Sequence, residues 1–258
     1  MKYLTFVAEG FTWRLYEGIG ASNAAIAERR GKPVFDFSAG DAPVLWLIAS
    51  EQAGGPSELH RLHLPQLERE AHASPAPRLG AVASAPDGEA AAVLALPGDI
   101  DELPTIWHWS TGRWQSVTAT VRPDISSKLA WIAPRHLAFE SSGRRLTVLD
   151  LDTGAAQEGP EGCCVVAATR IGRWFALSAG TGISFSAQDP FKHPAEPIDG
   201  VSLRDPGSLR VTADGEVFTW TQSLPFHRVR GYVQKRGSRP IHFPTIERGS
   251  GGVVGPYP

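Results

Sequence analysis

Apolar positions along the chain alternate with a period of two or run together for five to eight residues, and seldom follow the spacing of a helix. The runs are bounded by Gly, Pro, Asp and Ser, the punctuation of short strands and turns. Asp87-Gly88-Glu89 precedes the small apolar run Ala90 to Leu96, and Asp214-Gly215-Glu216 precedes Val217 to Thr221. Pro134-Arg135-His136 leads into Leu137 to Glu140, Ile171-Gly172-Arg173 into Trp174 to Ser178, and Gly40-Asp41-Ala42 into Pro43 to Leu47. The best helix candidate is Leu64 to Ala73, where Pro65 would open a turn before Gln66 to Ala71, although its apolar positions are few. The pattern predicts an all-β chain.

The turn signals are themselves periodic. Taking Gly40, Gly88, Arg135, Gly172 and Gly215 as markers, the steps are about 48, 47, 37 and 43 residues. That is the repeat length of a four-stranded propeller blade. A second marker keeps phase: Ile106-Trp107-His108-Trp109-Ser110-Thr111-Gly112 matches Val148-Leu149-Asp150-Leu151-Asp152-Thr153-Gly154 one repeat later, and Gln234 to Ser238 stands two repeats beyond. In each, a third strand ends, a turn supplies positive φ, and an outer strand returns. The expected blades are 33–76, 78–122, 125–161, 163–199 and 200–246. Residues 1–31 supply three more strands, Tyr3–Glu9, Thr12–Gly18 and Asn23–Glu28, and the fourth is expected from the C-terminus around Gly252-Val253-Val254. The expectation is one propeller domain, 1–258, of about six blades, favoured over five, its ring closed by N- and C-terminal strands so that no edge stays free.

Ser84-Ala85-Pro86-Asp87-Gly88 followed by Ile106 to Gly112 resembles a blade of the WD-repeat and related bacterial propellers. One blade matches well and two match in part, around 132–154 and 211–237. The Gly-His dipeptide of strict WD repeats is missing, and His108 stands where the Asp of the Trp-Asp pair would fall. The resemblance implies a fold and leaves the function open.

Composition narrows the functional classes. A formal charge of −2, with 20% charged residues, gives no global pull toward nucleic acid or an anionic membrane. The two cysteines, Cys163 and Cys164, are adjacent and cannot form a disulfide framework; they read as small apolar residues of a buried strand. No signal-peptide pattern opens the chain, and the longest apolar run, Ala42 to Ala49, is far short of a membrane helix. A cytoplasmic location is expected.

Catalytic signatures are scarce. Sugar lactonases built as six-bladed propellers hold a divalent ion with Glu, Asp and two Asn, whereas this chain has one asparagine, Asn23. His60 and His63 stand three apart on a strand and so face opposite ways, which disfavours a shared metal. There is no G-x-S-x-G elbow, phosphate loop or dinucleotide-binding glycine pattern, and no cofactor is expected. Asp99-Ile100-Asp101-Glu102 reads as a solvated acidic loop on one rim. Residues 201–258 carry eight Lys/Arg against four Asp/Glu, and Arg228, Arg230, Tyr232, Gln234 and Arg236 alternate onto one strand face. The bland alternative for that face is a charged outer strand that discourages edge pairing. Trp13 and Trp114 lie near turns and are expected to be exposed, unlike the tryptophans inside strands.

The leading expectation is a non-enzymatic protein-binding module, in one version a bacterial toxin-neutralising (immunity) or accessory scaffold protein. Its expected contacts are Asp99, Asp101, Glu102, Trp114, Phe191 and Lys192 on a rim, or the face carrying Arg228, Arg230, Tyr232 and Arg236. The partner is another protein, with nucleic acid disfavoured and no membrane. The alternative is a channel-mouth hydrolase or small-ligand binder with a metal held by Asp and His from several blades.

Overall fold

A computed structural model of the chain describes the backbone of twenty-four strands and, with their side chains, residues 12, 14–16, 25, 44–50, 55–63, 68–85, 87–99, 102–159, 224–225, 228, 230–235 and 237–242. The first three strands are β1 (Lys2–Glu9), β2 (Thr12–Glu17) and β3 (Ala27–Arg30). They are followed by β4 (Val34–Ser38), β5 (Val44–Ala49), β6 (Glu58–His63) and β7 (Glu68–His72), then β8 (Leu79–Ser84), β9 (Ala91–Ala95), β10 (Thr105–Ser110) and β11 (Arg113–Val117). Next come β12 (Ala130–Ala133), β13 (His136–Glu140), β14 (Arg145–Asp150) and β15 (Ala156–Glu161). The last are β16 (Cys163–Ala168), β17 (Trp174–Ser178), β18 (Gly182–Ser186), β19 (Glu196–Pro197), β20 (Arg210–Val211), β21 (Val217–Leu224), β22 (Arg228–Lys235), β23 (Ile241–His242) and β24 (Ser250–Tyr257).

These strands form four-stranded antiparallel sheets, six among the described residues, each from four consecutive strands except one. In that one the order is β24-β1-β2-β3, with Val254, Val253 and Gly252 opposite Leu4, Thr5 and Phe6. There is no helix among the described residues. The helix candidate Leu64 to Ala73 is corrected: its second half is β7, whose Arg69 and Glu70 stand opposite Leu62 and Arg61. Sheet pairing overrides the helix propensity of Glu-Arg-Glu-Ala. Likewise the strand expected at Asn23–Glu28 runs instead as Ala27–Arg30.

The run from Ala90 to Leu96 is apolar on both sides because the β8–β11 sheet is covered on both faces. Ala91, Val93 and Ala95 of β9 face Val44, Trp46, Ile48 and Leu59 of the preceding sheet. The alternate residues Ala92 and Leu94 join Ala81, Ala83, Ile106 and Val117 against Leu129, Trp131, Leu137, Phe139 and Leu149 of the following one. A bulge between Leu79 and Ala81 shifts the phase of β8, so Leu79 packs backward while Ala81 packs forward. At that bulge a Cβ on Gly80 would lie 2.7 Å from Leu96 Cδ2, so a side chain there would force Leu96 to move. Ala130, Ile132, Ala138 and Leu146 form a further cluster on the opposite face of the β12–β15 sheet.

Candidate interaction surface

With sheet faces taken up by packing, the connections are the natural place for contacts. Val117 pairs with Ile106, so the β9–β10 connection (96–104) and the β11–β12 connection (118–129) leave their sheet at the same end. Each raises one large apolar side chain into solvent: Leu103 is 57% exposed and Ile125 60%. The loops that carry them are braced by their own polar groups. Glu102 Oε2 accepts hydrogen bonds from the backbone N–H of Gly98 (2.8 Å) and Asp99 (3.3 Å), closing the first loop on itself. Asp124 Oδ1 accepts from the Ser126 hydroxyl and from its N–H (2.8 Å), turning the chain beneath Ile125. Those bonds hold the Asp124 carboxyl below the usual carboxylate range. Ser142 N–H donates to Arg122 O and Asp124 N–H to Glu140 O, both at 2.9 Å, so the 118–129 connection runs beside the 141–144 turn.

The residues expected to make contacts are distributed unevenly. Asp99 and Glu102 lie exposed on the 96–104 loop. Asp101, Phe191, Lys192 and Arg236 fall outside the described residues, as does the side chain of Trp13. Trp114 is half-buried, contrary to its expected exposure: its indole N–H donates to Ala73 O at 2.7 Å and its ring lies 5.4 Å from that of Trp109. Its position just after the Thr111-Gly112 turn suggested solvent, but the ring folds back across the seam between two sheets. The basic face also differs from expectation. Strand β22 is third of four, with β23 outside it, and Gln234 is buried at 4% exposure while Arg228, Arg230 and Tyr232 are half-buried. Arg228 Nε donates to Pro225 O at 3.0 Å, and the Tyr232 ring meets His242 edge-on.

A concentration of titratable groups lies where sequence spacing gave no hint. Across β5, β6 and β7 the register aligns Val44–His63–Glu68, Trp46–Arg61–Glu70 and Ile48–Leu59–His72. Alternation puts these on the face that meets the β8–β11 sheet. His60 is on the other face, buried, with Glu58 at 3.0 Å and Arg69 Nε donating to its Nδ1 at 3.1 Å. The two histidines therefore diverge, as period two requires. Reading Glu68–His72 as a strand would have revealed the cluster, because every second residue then falls opposite Arg61 or its neighbours. Among the described residues no group of three His, Cys, Asp or Glu is arranged to hold a metal ion.

Solved structures share the arrangement of four-stranded sheets over nearly the whole chain. TolB from Acinetobacter baumannii superposes with a TM-score of 0.71 at 15% identity, covering 97% of this chain and 65% of that one. The chain has a β-propeller fold. A protein from Agrobacterium tumefaciens assigned to TolB gives a TM-score of 0.59 at 13% identity over 96% of this chain and 91% of its own. A functionally unknown protein from Desulfotomaculum acetoxidans gives 0.58 at 10% identity over 99% and 86%. The propeller described here thus spans about 65% of the length of the Acinetobacter TolB. No protein-family model matches the sequence, and no curated protein does.

Proposed function

We propose that the chain is a six-bladed propeller, its ring closed by β24 on β1, that works as a non-enzymatic protein-binding module. Support for the order of blades comes from the first strands of successive sheets, since β4 lies against β8, β8 against β12, β12 against β16, β16 against β20 and β20 against β24. The observation that carries the binding reading is the pair Leu103 and Ile125, exposed on connections that leave one sheet at the same end. Asp99, Glu102, Arg122 and Arg144 stand exposed on the same loops and the adjoining turn. Apolar anchors with polar surroundings suit a protein partner, and loops braced by Glu102 and Asp124 lose little freedom on contact. The toxin-neutralising or scaffold role is a special case, decided by the partner's identity.

The test is a pull-down from the native host at natural expression and gentle salt, read by mass spectrometry. Wild type should retain one stoichiometric protein. The Leu103→Asp/Ile125→Asp double variant, with an unchanged melting temperature, should lose it at least tenfold, since about 1.4 kcal/mol is a factor of ten. Absence of any partner, or equal retention by the variant, overturns the reading.

A further inference from the structure

The seam between the β4–β7 and β8–β11 sheets encloses an imidazole in an environment built for its neutral form. The His72 side chain is 5% exposed. Its ring lies between Trp46, 5.0 Å away and tilted, and Trp109, 4.8 Å away and edge-on. Its Nε2 is buried and makes no well-formed hydrogen bond, with Glu70 Oε2 standing 3.5 Å away. Glu70 is half in water and is shared three ways, standing 3.8 Å from Arg61 Nη1 and 3.7 Å from His63 Nε2 as well. Arg61 is in turn held by Glu89 of the β8–β9 turn at 2.8 Å. The charged and titratable groups around His72 are therefore Glu70 on its own strand, Arg61 and His63 from β6, and Glu89 beyond Arg61; β5 and β10 offer only tryptophan rings.

We propose that this seam is an acid-sensitive clasp, in which proton uptake by His72 draws the imidazole out of the Trp46–Trp109 slot toward Glu70 and water, and releases the β7 edge and Ala73 from Trp114. A neutral ring leaves its Nε2 unsatisfied in the slot but has no net charge to desolvate. An imidazolium there loses its hydration, meets repulsion from Arg61, and gains only from a carboxylate already engaged by another cation. Burial is the main reason the His72 imidazole titrates below its ordinary 6.5, with Arg61 and His63 acting in the same direction and Glu70 opposing. The closed seam therefore binds fewer protons than the open one. It is fully stable above the ordinary value, weakens as pH falls below it, and levels off once pH passes the lowered value. Within that window the opening constant of the seam rises at most tenfold per pH unit.

The experiment uses the full chain between pH 7.5 and 5, following near-ultraviolet circular dichroism and hydrogen exchange of the amides at 68–73. Wild type should lose protection at 68–73 and tryptophan signal together as pH falls. His72→Phe, which keeps an aromatic ring in the slot, should flatten both responses, whereas His63→Gln should retain them. An imidazole NMR titration of wild type gives a readout independent of any variant, and His72 should titrate below 6.5. A His72→Phe response identical to wild type, protection at 68–73 that ignores pH, or His72 titrating at or above 6.5 overturns the clasp.

Discussion

Gly112 and Gly154 sit at the same place in two successive Thr-Gly markers, with φ of +80° and +72°. Around Gly112 nothing lies within 4 Å of a built Cβ, whereas at Gly154 a Cβ would fall 2.3 Å from the backbone oxygen of Thr118. Gly112→Ala should therefore cost only the left-handed conformation, about 1–2 kcal/mol. Gly154→Ala adds a clash with backbone that cannot turn aside, for a total on the order of 2–4 kcal/mol. Urea unfolding of the two variants side by side checks the difference, and equal losses would contradict the close approach. Sequence identified both as turn glycines, because a Thr-Gly pair after an apolar strand has few other uses. It did not show that Thr111 also holds positive φ, at 50°, or that Arg144 does, at 57°, immediately after Gly143. Nor did it show why the two turns differ. Asp150 Oδ1 accepts from the N–H groups of Asp152 and Thr153 and from the Thr153 hydroxyl, shaping a longer turn. Its counterpart His108 instead meets Trp131 edge-on at 5.5 Å, and burial lowers its pKa.

Strands declared themselves in sequence where both faces are packed, as in β9, or where turn residues bracket them, as in β13. Outer strands did not, because their residues answer to one neighbour and to water. Strand β7 is the clearest case: Glu68, Arg69, Glu70 and Ala71 are all exposed, and only pairing with β6 makes them a strand. Misreading that element hid the seam, since Glu70 and His72 acquire meaning only in register with Arg61 and Leu59. Trp114 escaped for a related reason. Its partner Ala73 is 41 residues away on another sheet, a distance no local pattern spans. This hydrogen bond ties the start of β11 to the end of β7. Trp114→Phe keeps a ring against Trp109 and loses the bond, so stability should fall by about 1 kcal/mol. Trp114→Ala removes the ring contact as well and should cost about 1–2 kcal/mol more. Denaturant unfolding of both variants checks this, and a Trp114→Phe variant as stable as wild type would show that the indole N–H is incidental.

At the scale of the whole molecule, the repeat of 37 to 48 residues was legible because each blade must present a turn, a small apolar strand and a return strand in the same order. The proposed binding face leaves no such trace, since Leu103 and Ile125 carry no periodic signature and become notable only because most large apolar side chains among the described residues are buried. The longest-range pairing in the chain joins its two ends. β1 lies between β2 and β24, so removal of β24 would turn a strand with two neighbours into an exposed edge. Six residue pairs connect β1 to β24, from Lys2–Tyr257 to Ala8–Ser250. At about 1 kcal/mol net per ladder hydrogen bond, deletion of 250–258 should cost on the order of 5 kcal/mol. For a domain of this size that corresponds to a fall in melting temperature of about 10–20 °C. The free edge should also make aggregation rise with protein concentration. Adding the 250–258 peptide in trans should recover part of the lost melting temperature, because the deleted strand supplies backbone partners along the whole of β1. A deletion that leaves the melting curve and the monomer fraction unchanged would show that the β1–β24 ladder contributes nothing to holding the ends together.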